Sequence, residues 1–417
     1  MTRLGAAYGR LWTASTTSNL GDGLLLVGAP LVAIQLTREP LLVSGIQLVA
    51  TLPWLLLALH VGALADRRGR RTLMVSAALV RASVLLLVGT VVLLGGLSLP
   101  LLYLAVLAFG IGEVVFDTTS QSLVPDLVDR EHLAPANGRL IGAQVVMNNF
   151  IGAPLAGLLV GIATASIFLG PAVLYLAAAL ILLGLPDRYV PPSRPPASLR
   201  SDIGEGLHYL RRQPALVGIA GVGAFMNLAN TAYFSVFVLF VVGPGSPMGL
   251  SEVAFGLLAT ALAAGSVIGS LVAGRIEAAL GPRRSIIGGL LLSSMMMLIP
   301  AMTAHPAAIA AMAVTIGFSS VVTNVASVTS RQRVVPTALL GRINSAFRLV
   351  VTGMMPLGAL LGGLITGAFG LRTLFVCAVV TQWLAIAVFQ RHIRDRALRH
   401  EPSAGQAVQD AAVDTSS

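Results

Sequence analysis

The sequence consists of long apolar runs that follow one another and are separated by short polar loops. A helix needs about 20 mostly apolar residues to cross the hydrocarbon core of a bilayer. Twelve runs meet this requirement, at residues 11–35, 43–64, 73–94, 99–123, 140–160, 167–185, 215–242, 252–274, 285–302, 307–328, 343–367 and 373–390. The sequence therefore predicts an all-α membrane protein with twelve transmembrane helices, numbered here as spans 1 to 12.

The charged residues agree with this topology and set its orientation. Only 11% of the residues are charged and 56% are hydrophobic, which is too little charge for the surface of a soluble chain. All 27 basic residues are arginine, and nearly all lie at the N-terminus, in loops after even-numbered spans or in the C-terminal tail. The opposite loops hold only Arg38 and Arg372. The positive-inside rule then predicts that both termini lie in the cytoplasm. The all-arginine basic set suggests a GC-rich bacterial genome, so we expect a bacterial inner (cytoplasmic) membrane protein.

Several other functions lack support in the sequence. A net charge of +10 would suggest a nucleic-acid partner in a soluble protein, but here the topology explains the arginines. Cys377 is the only cysteine, which excludes an internal disulfide and a cysteine metal cluster. The six histidines show no metal-ligand spacing, and there is no nucleotide-binding Gly-Lys loop or nucleophile–base pair. We predict no metal, no cofactor, no nucleic-acid partner and no enzymatic activity.

An internal repeat divides the chain. Gln121 and Gln332 lie in similar stretches 211 positions apart, and Gly69 and Gly281 lie in similar stretches 212 positions apart. We predict six-helix units at 1–186 and 215–391, joined by a cytoplasmic linker at 187–214 and followed by a disordered tail at 392–417. Such duplicated units place the substrate site at their interface near the bilayer midplane.

The loop between spans 2 and 3 carries the most specific motif in the chain. It reads Gly62-Ala63-Leu64-Ala65-Asp66-Arg67-Arg68-Gly69-Arg70-Arg71. A loop that was only positively charged would not need Gly62, Asp66 or Gly69. The motif resembles the signature loop of the major facilitator superfamily, and the resemblance extends to the span number, the repeat and the central linker. It implies two pseudo-symmetric six-helix bundles, the major facilitator fold, and transport by alternating access.

The same loop is expected to act as a conformational latch. Arg70 can pair with an acid near the cytoplasmic end of span 4, for which Asp126 is the first candidate and Asp117 the second. Asp66 can accept hydrogen bonds from the free amides at the start of span 3, and Gly62 allows close helix packing. We expect the latch to hold the outward-facing state and to consist of Gly62, Asp66, Arg67, Gly69, Arg70, Arg71, Asp126 and Asp117.

Other stretches narrow the resemblance within the superfamily. Asn19-Leu20-Gly21-Asp22-Gly23 in span 1 and Gly110-Ile111-Gly112-Glu113 in span 4 resemble the bacterial efflux group that includes macrolide and siderophore exporters. In span 5, Gly152, Pro154 and Gly157 resemble the Gly-Pro motif of proton-coupled exporters, although the glycine and proline are not adjacent. The resemblance implies a proton antiporter that exports drug, antibiotic or siderophore-like compounds.

Ionisable residues inside the spans are functional candidates, because each costs about 2.5–3.5 kcal/mol at the bilayer centre. Asp22 in span 1 and Glu113 in span 4 are our candidates for proton coupling or substrate binding. The alternatives are a hydrogen bond between helices for Asp22 and a structural pair with Arg81 for Glu113. Arg81 in span 3 is expected to be structural.

Neutral polar side chains complete the predicted substrate cavity. The candidates are Asn19, Gln144, Asn148, Asn149, Asn227, Asn230, Tyr233 and Asn324. Asn227 and Asn230 are three residues apart and therefore share one helical face. Such groups can orient a substrate in a largely apolar cavity, and helix packing is the alternative for each of them.

The sequence thus favours a secondary active transporter that exports small amphipathic compounds in exchange for protons. Its expected partners are a small-molecule substrate, protons and the lipid bilayer. Three alternatives remain open: an importer or uniporter, a lipid transporter on the same fold, and a membrane sensor or scaffold that does not transport.

Overall fold

The computed structural model describes residues 4–65, 69–129, 132–185, 199–335 and 340–393, and these are almost entirely helical. The helices are α1 Gly5–Leu36, α2 Pro40–Ala65, α3 Arg70–Leu93, α4 Leu99–Leu127, α5 Leu133–Val145, α6 Ala153–Ile162, α7 Ser166–Leu183, α8 Leu199–Arg212, α9 Pro214–Val241, α10 Glu252–Leu280, α11 Pro282–Met296, α12 Ile299–Met302, α13 Pro306–Val334, α14 Leu340–Thr352, α15 Met354–Phe369 and α16 Leu371–Phe389. A π-helical segment, Val146–Gly152, joins α5 to α6.

Twelve stretches of the described residues are long and apolar enough to cross a membrane. They match the twelve predicted spans in order. Span 5 consists of α5, the π-helical segment and α6, span 9 of α11 and α12, and span 11 of α14 and α15. The prediction of an all-α membrane protein is therefore confirmed.

Proline and glycine mark several helix boundaries. Pro214, Pro282 and Pro306 are the first residues of α9, α11 and α13, a position at which the missing N–H of proline costs no helical hydrogen bond. Gly281 and Gly370 have φ angles of 80° and 83°, in the left-handed region that glycine adopts readily. They end α10 and α15 and allow the chain to enter the next span.

The contacts among residues divide the chain into two compact units. The first comprises the described residues of 1–196 together with 231–263 and 356–371, and the second comprises those of 197–230, 264–355 and 372–417. The first unit therefore contains α1 to α7 and segments of α9, α10 and α15. The predicted division into halves at 1–186 and 215–391 stays a prediction, and most of the predicted linker and tail lies outside the described residues.

Two helices are much more enclosed by protein than the others. In α1 and α9, 72% of the span is buried, compared with 28–44% in the other ten spans. In the first unit, α1 contributes Leu11 to a core that also contains Met74 of α3, Phe116 of α4 and Leu182 of α7. Polar side chains on an enclosed helix face other helices in preference to lipid, so α1 and α9 are the helices on which a polar site is best placed.

Glycine allows α1 and the π-helical segment to touch through their backbones. A Cβ atom on Gly152 would lie 2.9 Å from Cα of Gly23 and 2.7 Å from the carbonyl oxygen of Met147. A Cβ atom on Gly23 would lie 2.6 Å from Cα of Asn148. In the same unit, Gly157 lies against the backbone of Glu252 at the start of α10. Gly152 and Gly157 of the predicted antiport motif therefore lie at helix crossings.

Gly152→Ala is expected to destabilise the protein, because the added methyl group has no space at the crossing with α1. Overpacking of this kind costs about 1–3 kcal/mol, so the thermal unfolding midpoint of the detergent-purified variant should fall. Gly142→Ala on α5 is the matched control, since its Cβ would meet nothing within 4 Å. Equal midpoints for the two variants would contradict the close packing.

Candidate functional site

A buried ion pair joins α1 to α3. Nη1 of Arg81 donates a hydrogen bond to Oδ1 of Asp22 at 2.8 Å, and the two side chains are 0% and 4% exposed. Asp22 lies 17 residues after the start of the 32-residue α1, and Arg81 lies 11 residues after the start of the 24-residue α3. Both residues therefore lie near the middle of their helices, where each charge neutralises the other.

Further contacts extend the ion pair to α7 and α4. Nη2 of Arg81 donates to Oγ of Ser18 at 2.7 Å, and the Tyr175 hydroxyl donates to Oδ1 of Asp22 at 2.7 Å. The guanidinium carbon of Arg81 lies 3.9 Å from the ring centroid of Tyr175 and 5.4 Å from that of Phe116. These cation–π contacts add to the hydrogen bonds, so the network fixes α1, α3, α4 and α7 relative to one another.

Two glycines from the quoted motifs make room for this network. A Cβ atom on Gly112 would overlap the aliphatic part of the Arg81 side chain. A Cβ atom on Gly21 would lie 2.9 Å from Cε1 of Tyr175. The glycines beside Asp22 and Glu113 therefore allow the large side chains of α3 and α7 to lie against α1 and α4.

Glu113 lies close to the ion pair but is not part of it. Its Oε2 accepts a hydrogen bond from Nε1 of Trp54 on α2 at 3.2 Å, and the side chain is partly exposed. Glu113 interacts electrostatically with both Asp22 and Arg81. The proposed pairing of Glu113 with Arg81 is nevertheless wrong, because the guanidinium directs its hydrogen bonds to Asp22 and Ser18.

A second carboxylate on α4 extends the cluster toward α5. Nε2 of Gln144 donates to Oδ2 of Asp117 at 3.3 Å. Asp117 also interacts electrostatically with Arg81 and Glu113. The described part of this cluster thus brings together three carboxyl groups and the guanidinium of Arg81, which is engaged by Asp22.

The ion pair predicted for the signature loop is present. Arg70, the first residue of α3, pairs with Asp126 of α4 and donates a further hydrogen bond to the carbonyl oxygen of Ser122 at 3.0 Å. This confirms the contact with Asp126, the first of the two predicted partners, whereas Asp117 contacts Gln144.

The other residues of the predicted latch are described to different extents. Gly69 immediately precedes α3, and Arg71 lies in its first turn. Gly62 lies within α2. Asp66 and Arg67 lie outside the described residues.

The predicted polar residues of the first unit lie on α1, on α5 and in the π-helical segment. Asn19 is buried one turn before Asp22 on α1. In the π-helical segment, Asn148 lies against Gly23 and its buried Oδ1 has no hydrogen-bond partner among the described residues. The backbone carbonyl of Asn149 accepts a hydrogen bond from Thr260 of α10 at 3.1 Å.

In the second part of the sequence, Asn227, Asn230 and Tyr233 lie on α9 and Asn324 lies on α13. Tyr233 is buried in a row of aromatic rings, 5.1 Å from the ring centroid of Phe234 and 5.6 Å from that of Phe237. Asn324 is exposed on α13.

Sequence reasoning missed three residues that complete these networks. Tyr175 and Trp54 bind the carboxylates, and Gln382 on α16 binds Asn230 at 2.9 Å. Gln382 is a lone amide in an otherwise apolar span, which is a usable signal because a buried amide needs a partner. The sequence contained no signal that selects its partner helix.

The fold defines the class of protein. A solved structure of the nucleoside transporter NupG matches with a TM-score of 0.77 at 10% identity, covering 93% of this chain and 100% of that chain. This match shows that the chain shares the fold of that transporter. The family model described as transmembrane secretion effector matches residues 5–413, so this chain belongs to that family of major facilitator transporters.

Curated relatives agree with this assignment. An uncharacterized MFS-type transporter of Mycobacterium tuberculosis is 34% identical over 149 residues, which cover 35% of this chain and only 33% of that protein. The multidrug efflux pump Tap of Mycolicibacterium fortuitum is 24% identical over 93% of this chain and 97% of its own length. The enterobactin exporter EntS of Escherichia coli O1:K1 / APEC is 28% identical over 86% of this chain and 85% of its own length. The family and these relatives are transporters and not enzymes, as the sequence predicted.

Asp22→Asn is expected to destabilise the protein strongly, because it leaves the buried cation of Arg81 without a counter-charge. Breaking such a pair costs about 3–5 kcal/mol, and the double variant Asp22→Asn/Arg81→Gln should recover much of this loss. The measurement is the thermal unfolding midpoint of each purified variant. Asp129→Asn, at an exposed carboxylate, is the control. A double variant less stable than Asp22→Asn alone would contradict the ion pair.

Proposed function

We propose that this chain is a proton-coupled exporter of small amphipathic compounds that works by alternating access. We further propose that it lies in a bacterial inner membrane with both termini in the cytoplasm. The names of two relatives, a multidrug efflux pump and an enterobactin exporter, support export. The observation that carries the proton coupling is the position of Glu113, a partly exposed carboxyl in the middle of α4 that accepts a hydrogen bond from the indole of Trp54.

The two acidic candidates fit different roles. Asp22 is 3% exposed and is held by Arg81 and Tyr175, so a proton reaches it only if this network opens. Glu113 is partly exposed, and its hydrogen bond to Trp54 does not neutralise its charge. This contrast supports a structural role for Asp22 and Arg81 and a proton-binding role for Glu113.

The proposed cycle uses Glu113 in the step that returns the empty transporter. On the outer side, a proton converts the Glu113 carboxylate to the neutral acid. An uncompensated charge at the bilayer centre costs about 2.5–3.5 kcal/mol, so the proton lowers the barrier to the conformational change. On the cytoplasmic side, the acid releases its proton and the transporter binds new substrate, whose binding offsets the charge of Glu113 in the outward step. One proton therefore enters for each return, and the proton gradient drives export.

Glu113→Gln is expected to abolish export, because the amide is neutral but cannot release a proton. The measurement is the accumulation of a panel of dyes and antibiotics in efflux-deficient cells, with and without a protonophore. Wild type should lower accumulation, and the protonophore should remove this effect. Glu113→Asp should keep partial, protonophore-sensitive export, and Glu39→Gln at an exposed carboxyl should behave as wild type.

The outcomes separate the alternatives. Uptake of a polar solute that the protonophore does not affect would indicate an importer or uniporter. Movement of a labelled phospholipid between leaflets would indicate a lipid transporter. A cellular phenotype that persists in Glu113→Gln without transport would indicate a sensor or scaffold. Unchanged export by Glu113→Gln would refute the proposed coupling site.

We also propose that the signature loop acts as the conformational latch, with the pair of Arg70 and Asp126 at its centre. The two side chains are 27% and 47% exposed, so the pair contributes little to stability. The role of the pair is to stabilise the conformation in which the start of α3 is held against α4. Gly62, Asp66, Arg67, Gly69 and Arg71 would shape the loop, and Asp117 would act through α5.

Asp126→Asn is therefore expected to slow transport while it changes the unfolding free energy by less than about 1 kcal/mol. The charge-exchanged double variant Arg70→Asp/Asp126→Arg should recover part of the rate, since it restores an attractive pair. Initial rates of dye efflux and thermal midpoints, measured on the same variants, test this. If Asp126→Asn transports at the wild-type rate, the pair is not a latch.

A further inference from the structure

Two amides on α9 are held in fixed orientations by neighbouring helices. Nδ2 of Asn227 donates to the carbonyl oxygen of Val351 on α14 at 3.2 Å. Oδ1 of Asn230 accepts from Nε2 of Gln382 on α16 at 2.9 Å. Asn227 therefore binds the protein through its Nδ2 and keeps its Oδ1 for another partner. Asn230 binds the protein through its Oδ1 and keeps its Nδ2 for another partner.

Gln382 fixes the orientation of Asn230. It is fully buried, and its Nε2 is engaged by both Asn230 and the sulfur atom of Met297, at 2.9 and 3.3 Å. With its amino group between two acceptors, Gln382 can only donate to Asn230. Its own Oε1 is buried without a hydrogen-bond partner among the described residues. Such an unsatisfied atom is costly, which is a sign that this amide serves the position of Asn230 and not stability alone.

The free ends of the two asparagines form a donor and an acceptor side by side. Within the described residues, Nδ2 of Asn230 and Oδ1 of Asn227 make no hydrogen bond. Neither atom is fully buried, so each can still bind a group from outside the protein. Both side chains are partly exposed. Residues three apart on a helix have Cβ atoms about 5–6 Å apart, a distance that one small polar group bridges with two hydrogen bonds.

The location of the pair indicates that it faces cargo and not lipid. Asn227 and Asn230 lie 13 and 16 residues after the start of the 28-residue α9, close to its middle. This helix is one of the two most enclosed spans, and a bare amide facing hydrocarbon at this depth would be costly. An amide that is partly exposed here is best explained by an interior space that holds water or a substrate.

We propose that Asn227 and Asn230 recognise an uncharged group of the substrate that both donates and accepts a hydrogen bond, such as a primary amide, and that Gln382 is the positioning residue for Asn230. Nδ2 of Asn230 donates to the carbonyl oxygen of this group, and Oδ1 of Asn227 accepts from its N–H. The hydrogen bonds of the two asparagines go to a backbone carbonyl and an amide, which are neutral groups, and this favours a neutral group on the substrate. The inference rests on the proposed function, because it assumes a small amphipathic cargo.

The test is equilibrium binding to the purified full-length protein in detergent, which assumes neither export nor proton coupling. The probes are a neutral fluorescent dye bearing a primary carboxamide and the same dye as its N,N-dimethyl amide. The dimethyl amide keeps the carbonyl oxygen but has no N–H. Wild type should bind the primary amide with a Kd roughly two- to ten-fold lower, as expected for one hydrogen bond.

The variants locate the discrimination. Asn227→Leu should bind both dyes with the weaker Kd, because it removes the acceptor. Gln382→Leu should weaken binding of both dyes, because Asn230 is no longer held. The ratio of the two Kd values should stay as in wild type. Asn137→Leu, at an exposed amide on α5, should match wild type. Thermal midpoints of all variants identify any loss of fold.

Three results would overturn the inference: a wild type that binds both dyes equally, a wild type that binds neither, and a folded Asn227→Leu that still prefers the primary amide. Failure of the proposed function would look different. It would be the absence of protonophore-sensitive export in cells, whatever the Kd ratio of the two dyes.

Discussion

The structure depends on one constraint: hydrocarbon offers no partner to a charge or a hydrogen-bonding group, so each polar residue inside the spans needs a partner in the protein or in a space that holds water or substrate. The pair of Asp22 and Arg81 shows the consequence. Keeping these charges requires Ser18 and Tyr175 as further partners, and it requires glycine at positions 21 and 112 because the large side chains need the space. The buried ion pair thus explains why glycine is needed at these positions of α1 and α4.

The same constraint explains what could be predicted from the sequence. The spans follow from length and hydropathy, and the contact of Arg70 with Asp126 follows from a local motif at known helix ends. The contacts of Asp22 with Arg81 and of Glu113 with Trp54 could not be predicted, because each joins residues 59 positions apart and depends on which helices are neighbours. The π-helical segment was also missed, because an extra residue in a helical turn leaves the hydropathy of span 5 unchanged.

The two parts of the sequence carry networks of opposite character on helices that the predicted repeat makes equivalent. In the first unit, α1, α3 and α7 supply Asp22, Arg81 and Tyr175. In the second part of the sequence, α9 and α16 supply Asn230 and Gln382, and Met297 is the residue directly after α11. The first network is charged and closed, whereas the second is neutral and leaves amide atoms accessible.

This difference determines how coupling can work. A cationic cargo would compete with the proton for Glu113, and the two would exclude each other by charge alone. A neutral group bound at α9 has no such competition, so its binding need not change the protonation of Glu113. Coupling must then arise in the conformational step: a proton removes the opposition of the Glu113 charge in the empty transporter, and bound cargo must offset that opposition in the loaded transporter. On this argument, cargo selection and energy coupling can vary independently, because different helices carry them.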